Sequence, residues 1–111
     1  MDIAAQATKG KQTATAIIAL KNAIQLQPEN QEPRFLLAKL YHQELRLLEA
    51  EKELRKAIEL GLNGQQSVPL LMAIYRDMND KIKLQSVEIV KGRFSTQQYA
   101  RLRLLQAQSY I

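Results

Sequence analysis

One spacing constrains this chain more than any other: the same mixture of small and large apolar residues returns every 34 positions. Between residues 31 and 60, Leu37, Ala38 and Tyr41 are followed by Ala50, Leu54 and Ala57. Thirty-four residues earlier stand Ile3, Ala4, Ala7, Ala16, Leu20 and Ala23, and 34 later stand Leu71, Met72, Tyr75 and Leu84. Inside each period the apolar residues fall at helical spacing in two groups, so each period encodes two amphipathic helices and a short turn. A lone helix pair cannot cover its own apolar flank, and the next pair must pack on it. The expected fold is therefore all-α: about seven helices in antiparallel pairs, stacked side by side with a concave face left open. It reads as one domain over residues 1–111, with units at roughly 1–30, 31–64 and 65–94 and a terminal helix over 95–111. It also reads as an excerpt of a longer array.

Breaker residues place the expected helices. Asp2 to Lys9 reads as a short first helix ended by Gly10, with Thr13 capping a second over about Ala14–Gln27 that Pro28 stops. Asn30 caps the third, and Pro33 sits in its first turn, where a missing N–H costs nothing. The fourth runs from about Leu47 to Leu60. Its charged side, with Glu49, Glu51, Lys52, Glu53, Arg55, Lys56 and Glu59, reads as a solvated face. Ser67 and Pro69 open the fifth, which runs to about Met78. The sixth spans about Lys81–Lys91 and ends at Gly92, with a strand as the alternative because its β-branched residues lower helix propensity. Ser95 and Gln98 resemble a capping box for the last helix, about Thr96–Tyr110.

Composition excludes several classes. The chain has no cysteine, so disulfides, thiolate metal sites and cysteine nucleophiles are out. No apolar run approaches the roughly 18 residues that span a bilayer. The first residues lack the pattern of a secretory signal, which favours the cytoplasm, although a boundary at Met1 would hide one. The net charge of +5 is uneven. Residues 1–64 hold nine Lys/Arg against eight Asp/Glu, and residues 65–111 hold seven against three. A basic half can attract an acidic partner, but scattered surface charge is the commoner cause.

The motif residues can now be matched to a family. Leu37, Ala38, Tyr41, Ala50, Leu54 and Ala57 resemble the tetratricopeptide repeat, as do Ala16, Leu20, Ala23 and Pro28 in the unit before. The chain departs from that pattern at Leu45, where the family often has glycine, and at Leu62, where it has proline. Glu88 and Lys91 depart again in the third unit. The run AIIALKNAIQLQPENQEPRFLLAKLY further resembles repeat lipoproteins of bacterial PEP-CTERM/exosortase exopolysaccharide systems. The first resemblance implies a right-handed superhelix whose inner helix faces bind a protein or peptide partner. The second implies a structural spacer in an exported array, periplasmic or attached to the outer membrane.

Carried over by position, the inner face comprises Glu32, Phe35, Lys39, His42 and Gln43 in the second unit. In the third it comprises Gln66, Pro69, Ala73, Arg76 and Asp77. The family's clamp for chaperone C-terminal tails is not expected, because its positions fall on Met1, Ala5, Leu36, Gln66 and Leu70. None of these donates a charge-assisted hydrogen bond. No catalytic, cofactor or metal residues are expected. His42 is the sole histidine, no glycine-rich phosphate loop occurs, and the acidic residues alternate with lysine and arginine. Nucleic-acid binding through the basic half is the weaker rival, because Arg101 and Arg103 diverge on a helix and no aromatic residues interleave with the cations. Leu102, Leu104, Leu105 and Tyr110 exceed what one neighbouring helix can cover, so self-association through the terminal helix is a further expectation.

Overall fold

A computed structural model describes the backbone of residues 3–89 and 91–108, and side chains from Gly10 onward except Lys91. Six α-helices and one 3₁₀ turn make up the described residues, with no strand among them. They are α1 (Ile3–Leu26), α2 (Gln31–Gln43), α3 (Leu47–Glu59), α4 (Gly64–Asp77), α5 (Lys81–Ser86) and α6 (Thr96–Gln108). The 3₁₀ turn covers Lys91–Arg93. The all-helical expectation holds, and the strand alternative over 82–89 does not. The count of about seven helices becomes six.

The missing helix is the first. Gly10 and Thr13 lie inside α1 and neither breaks nor caps it. The helix runs unbroken through the segment where a turn was expected, and there the Thr15 hydroxyl donates to the Lys11 carbonyl one turn back, at 3.0 Å. A glycine inside a helix costs only about 1 kcal/mol relative to alanine, which the backbone hydrogen bonds on either side outweigh.

The core forms where the 34-residue pattern is complete. Leu37, Ala38 and Tyr41 on α2 meet Ala50, Leu54 and Ala57 on α3, and Ala38, Ala50, Leu54 and Ala57 are wholly buried. Alanines at the crossing let the two backbones approach, and Leu37 and Leu54 fill the space beside them. α4 adds Met72, Ile74 and Tyr75, and α5 adds Leu84. The expectation that the whole charged side of α3 is solvated fails at Glu51, which is buried. Its carboxylate accepts from Lys83 Nζ at 3.3 Å and Arg55 Nε at 3.3 Å. The Tyr75 hydroxyl also bonds it, and Arg55 Nη2 donates to that hydroxyl at 2.6 Å. Burial pushes the Glu51 carboxyl up, but the bonds from Tyr75, Lys83 and Arg55 hold it below its ordinary value. Burial and Glu51 together push the Tyr75 phenol up to about 12.

The turns after α2 and α4 repeat one another, and the Leu60, Gly61 and Leu62 N–H groups after α3 make the same three bonds to Lys56, Ile58 and Ala57. After α2 the Glu44, Leu45 and Arg46 N–H groups donate to Leu40, His42 and Tyr41. After α4 the Met78, Asn79 and Asp80 N–H groups donate to Ile74, Arg76 and Tyr75. Leu45 and Asn79, 34 residues apart, both hold φ 58°. This left-handed conformation explains why a glycine is usual at the Leu45 position in the family that the sequence resembles.

Three boundaries differ from expectation. α4 opens at Gly64 rather than Ser67, because Asn63 Oδ1 accepts from the Gln66 N–H at 2.9 Å and caps it there. Pro69 is accordingly inside the helix. α5 stops at Ser86 instead of reaching Lys91, and Gly92 lies in the 3₁₀ turn. Gln106 on α6 is buried and donates through Nε2 to the carbonyls of Leu84 and Val87, at 3.2 and 2.7 Å, closing the open end of α5. α6 begins as expected, with Ser95 Oγ accepting from the Gln98 N–H at 3.2 Å. Leu102 is buried against the core, Leu105 is half-buried and Leu104 is exposed. Tyr110 lies outside the described residues.

Candidate functional site

The residues that bury α2 decide which ones it leaves open. Pro33, Leu37, Ala38 and Tyr41 face the core. Glu32 and Lys39 lie on the solvent side, with Phe35 half-buried between them. On α4, Ser67, Met72, Ile74 and Tyr75 face inward, so Gln66, Arg76 and Asp77 are left outside. Pro69 and Ala73 are half-buried. α2 and α4 pack directly on each other. The exposed ones among the expected residues thus lie along two helices in contact, as one strip.

Two clusters form on that strip. At its first end Glu32, Phe35, Lys39 and Gln66 line one open groove of about 350 Å³, together with Gln31, Leu36 and Leu62. The Lys39 ammonium stands over the Phe35 ring, 5.0 Å from its centroid. A cation over an aromatic face is attracted by the ring's negative π surface, which holds Lys39 at the groove without neutralising it. At the other end His42 Nε2 and Asp77 Oδ2 are 2.7 Å apart, joining α2 to α4. Arg76 Nε donates to the second oxygen of Asp77 at 3.1 Å. The hydrogen bond from Arg76 holds the Asp77 carboxyl below its ordinary value, burial opposes this, and the bond to His42 adds to it. Gln43 is exposed and joins neither cluster.

Charge is distributed unevenly between this strip and its surroundings. On α3 Glu49, Glu51, Glu53 and Glu59 are paired with Arg46, Arg55, Arg34 and Lys56 respectively. Glu32 and Lys39 have no ion-pair partner among the described residues. An uncompensated pair of opposite charges beside an apolar pocket can contact both ends of a polar, partly apolar chain.

Sequence reasoning missed Gln31, Leu36 and Leu62 at the groove. Leu36 is 41% exposed and falls beside the apolar stripe, a signal that was present but unused. Leu62 is buried and lines the groove from the turn before α4. A second cavity, about 250 Å³, lies where α4, α5 and α6 meet and includes Arg76, Leu84 and Leu105. Finding it required the path of α6, which no local pattern gives. No group of three or more histidine or carboxylate residues suited to a metal ion occurs among the described residues. Among them, too, no helix is long and apolar enough to cross a membrane.

No protein-family model, curated protein or solved structure matches the chain.

Proposed function

We propose that the strip on α2 and α4 is a docking surface for an extended segment of another protein, in a non-catalytic scaffold of the tetratricopeptide type. The observation that carries this reading is the meeting of Glu32, Phe35, Lys39 and Gln66 in one groove. The first three lie on α2 and Gln66 on α4, and each stands at an inner-face position of the repeat pattern. The superhelical arrangement is part of the same proposal. The matched turns at Leu45 and Asn79 support it, because a constant step between units is what curves such a stack. An extended chain laid across the strip would place an apolar side chain against Phe35, Leu36 and Leu62. Its polar groups would meet Lys39 and Glu32.

The test is capture and rebinding. A protein retained by the immobilised chain is purified, and its affinity is measured for wild type, Phe35→Ala and Lys39→Glu. Both variants should keep the wild-type circular dichroism and bind at least about tenfold more weakly, a difference of about 1.4 kcal/mol. Equal binding by all three would overturn the assignment of this strip. Tight binding of random RNA or DNA with steep salt dependence would move function to the basic C-terminal half.

A further inference from the structure

Two grooves run beside α2, and they differ in whether their polar groups are already paired. The outer one, about 400 Å³, is lined by charged residues alone: Arg34, Lys52, Glu53, Arg55, Lys56 and Glu59. All of these but Lys52 are engaged, Arg34 with Glu53, Lys56 with Glu59 and Arg55 with Glu51. In the inner groove the Glu32 carboxylate and the Gln31 and Gln66 amides have no side-chain partner among the described residues. The Lys39 ammonium meets only the Phe35 ring. Glu32 stands in the first turn of α2, where the helix dipole favours a carboxylate without any side-chain partner. The inner groove thus presents one free anion and one free cation around an apolar floor.

The spacing of those two charges fixes what can satisfy both. Glu32 and Lys39 are two helical turns apart on one side of α2, a rise of about 10.5 Å. Phe35 and Leu36 lie between them in sequence, and Leu62 lines the same groove. An extended chain rises about 3.3 Å per residue and turns alternate side chains to the same side. With one side chain seated on the apolar floor, the residues two before and two after it point the same way, about 13 Å apart. Long side chains close the small difference. On the reading of this strip as a docking surface, we propose that its partner segment carries an apolar residue flanked two positions away by a base on one side and an acid on the other. The base meets Glu32, and the acid meets Lys39. The Gln31 and Gln66 amides, each both donor and acceptor, suit the unpaired N–H and C=O groups of an extended backbone. A segment whose two flanking charges have the same sign meets one attraction and one repulsion, and gains nothing net. His42 and Asp77 are bonded to each other and take no part in this selection.

Short labelled peptides test this, identical except at the two positions flanking a central leucine. One carries lysine and aspartate there, one two lysines and one two aspartates. Binding is followed by fluorescence anisotropy at low ionic strength. Wild type should bind the mixed peptide about fivefold more tightly than either of the others, as expected for exposed charge pairs. The preference should fade toward 1 M salt, where screening reaches about 3 Å. The variants give the sharper signal, because they gain a preference that an unfolded chain cannot. Lys39→Glu should favour the two-lysine peptide, and Glu32→Lys the two-aspartate one. Equal binding of the three peptides by wild type, or an order of preference that both variants leave unchanged, would overturn the proposal. So would a failure of all three to bind. The docking surface itself is judged separately, by whether Phe35→Ala weakens the hold on a captured protein.

Discussion

The hairpin of α2 and α3 and the hairpin of α4 and α5 reverse direction on the same three backbone hydrogen bonds, 34 residues apart. Beyond the turn they part: α3 runs for 13 residues and α5 for six. The difference lies in what the next turn would have to bury. Leu54 on α3 is wholly buried, and its counterpart one period later is Glu88. Continuing α5 would carry that carboxylate into an apolar interior, where an unpaired charge costs several kcal/mol. The chain instead turns extended at Val87, with ψ 125°, and Glu88 stays exposed. Gln106 then meets the carbonyls that α5 leaves open. The same turn thus opens two hairpins, and burial decides how far the second helix of each extends.

Transplanting the difference should produce the largest effect. Leu54→Glu places in α3 the residue that ends α5, and is expected to cost more than about 4 kcal/mol. Leu54→Ala removes only buried methyl groups and should cost about 3 kcal/mol. Urea denaturation followed by circular dichroism checks both. If Glu costs no more than Ala at this position, charge burial is not what shortens α5.

The buried carboxylate that α3 does accommodate comes next. Glu51 succeeds where Glu88 would not because Tyr75, Lys83 and Arg55 bond it. Glu51→Gln should cost about 2 kcal/mol at neutral pH, since charge-assisted hydrogen bonds contribute more than neutral ones. The sign of the pH dependence follows from the depressed folded value. The Glu51 contribution is fully present above the unfolded carboxyl value of about 4.3, and is lost as pH falls through the folded one. Wild type should therefore lose stability on acidification faster than Glu51→Gln, and the gap between them should narrow below about pH 4. A gap independent of pH would remove the charge from the explanation.

The contrast between the hairpins also shows what the sequence could disclose. Leu37, Ala38, Tyr41, Ala50, Leu54 and Ala57 were readable because one helix period dictates their face, and the departure at Glu88 was visible as well. Where the chain goes once Glu88 ends α5 was not, because the carbonyls left open there are met by Gln106 from 19 or more residues away. Gly10 misled for a related reason: glycine permits a turn but does not require one, and α1 stays helical through it. At the groove, Glu32, Phe35, Lys39 and Gln66 were found by repeat position. Leu36 and Leu62 were missed, because their role depends on how α2 lies against the turn before α4.

The contacts that end α5 should matter less than those in the core. Gln106→Leu keeps the bulk of the side chain and removes both bonds to α5, leaving the Leu84 and Val87 carbonyls without that donor. About 1.5 kcal/mol is expected, near the cost of leaving a buried acceptor unsatisfied. The loss should be local, so hydrogen exchange should quicken in α5 and α6 while α2 and α3 keep their protection. Uniform acceleration across all helices would mean that α6 is integral to the core.

The smallest effect returns to the turns, where the two hairpins are most alike and their residues differ. Leu45 and Asn79 share φ 58°, but leucine has no means of easing that conformation, whereas asparagine can bond its own backbone locally. Leu45 is also 70% exposed, so removing its side chain forfeits little packing. Leu45→Gly should therefore stabilise the protein, by about 1 kcal/mol after the entropy that glycine adds to the unfolded chain. Asn79→Gly should gain about half as much, since less strain is relieved. Both are read as shifts in the urea midpoint at constant slope. An equal gain at the two sites would assign the effect to turn geometry alone. A loss at Leu45 would mean that its exposed side chain is held by contacts that outweigh the strain.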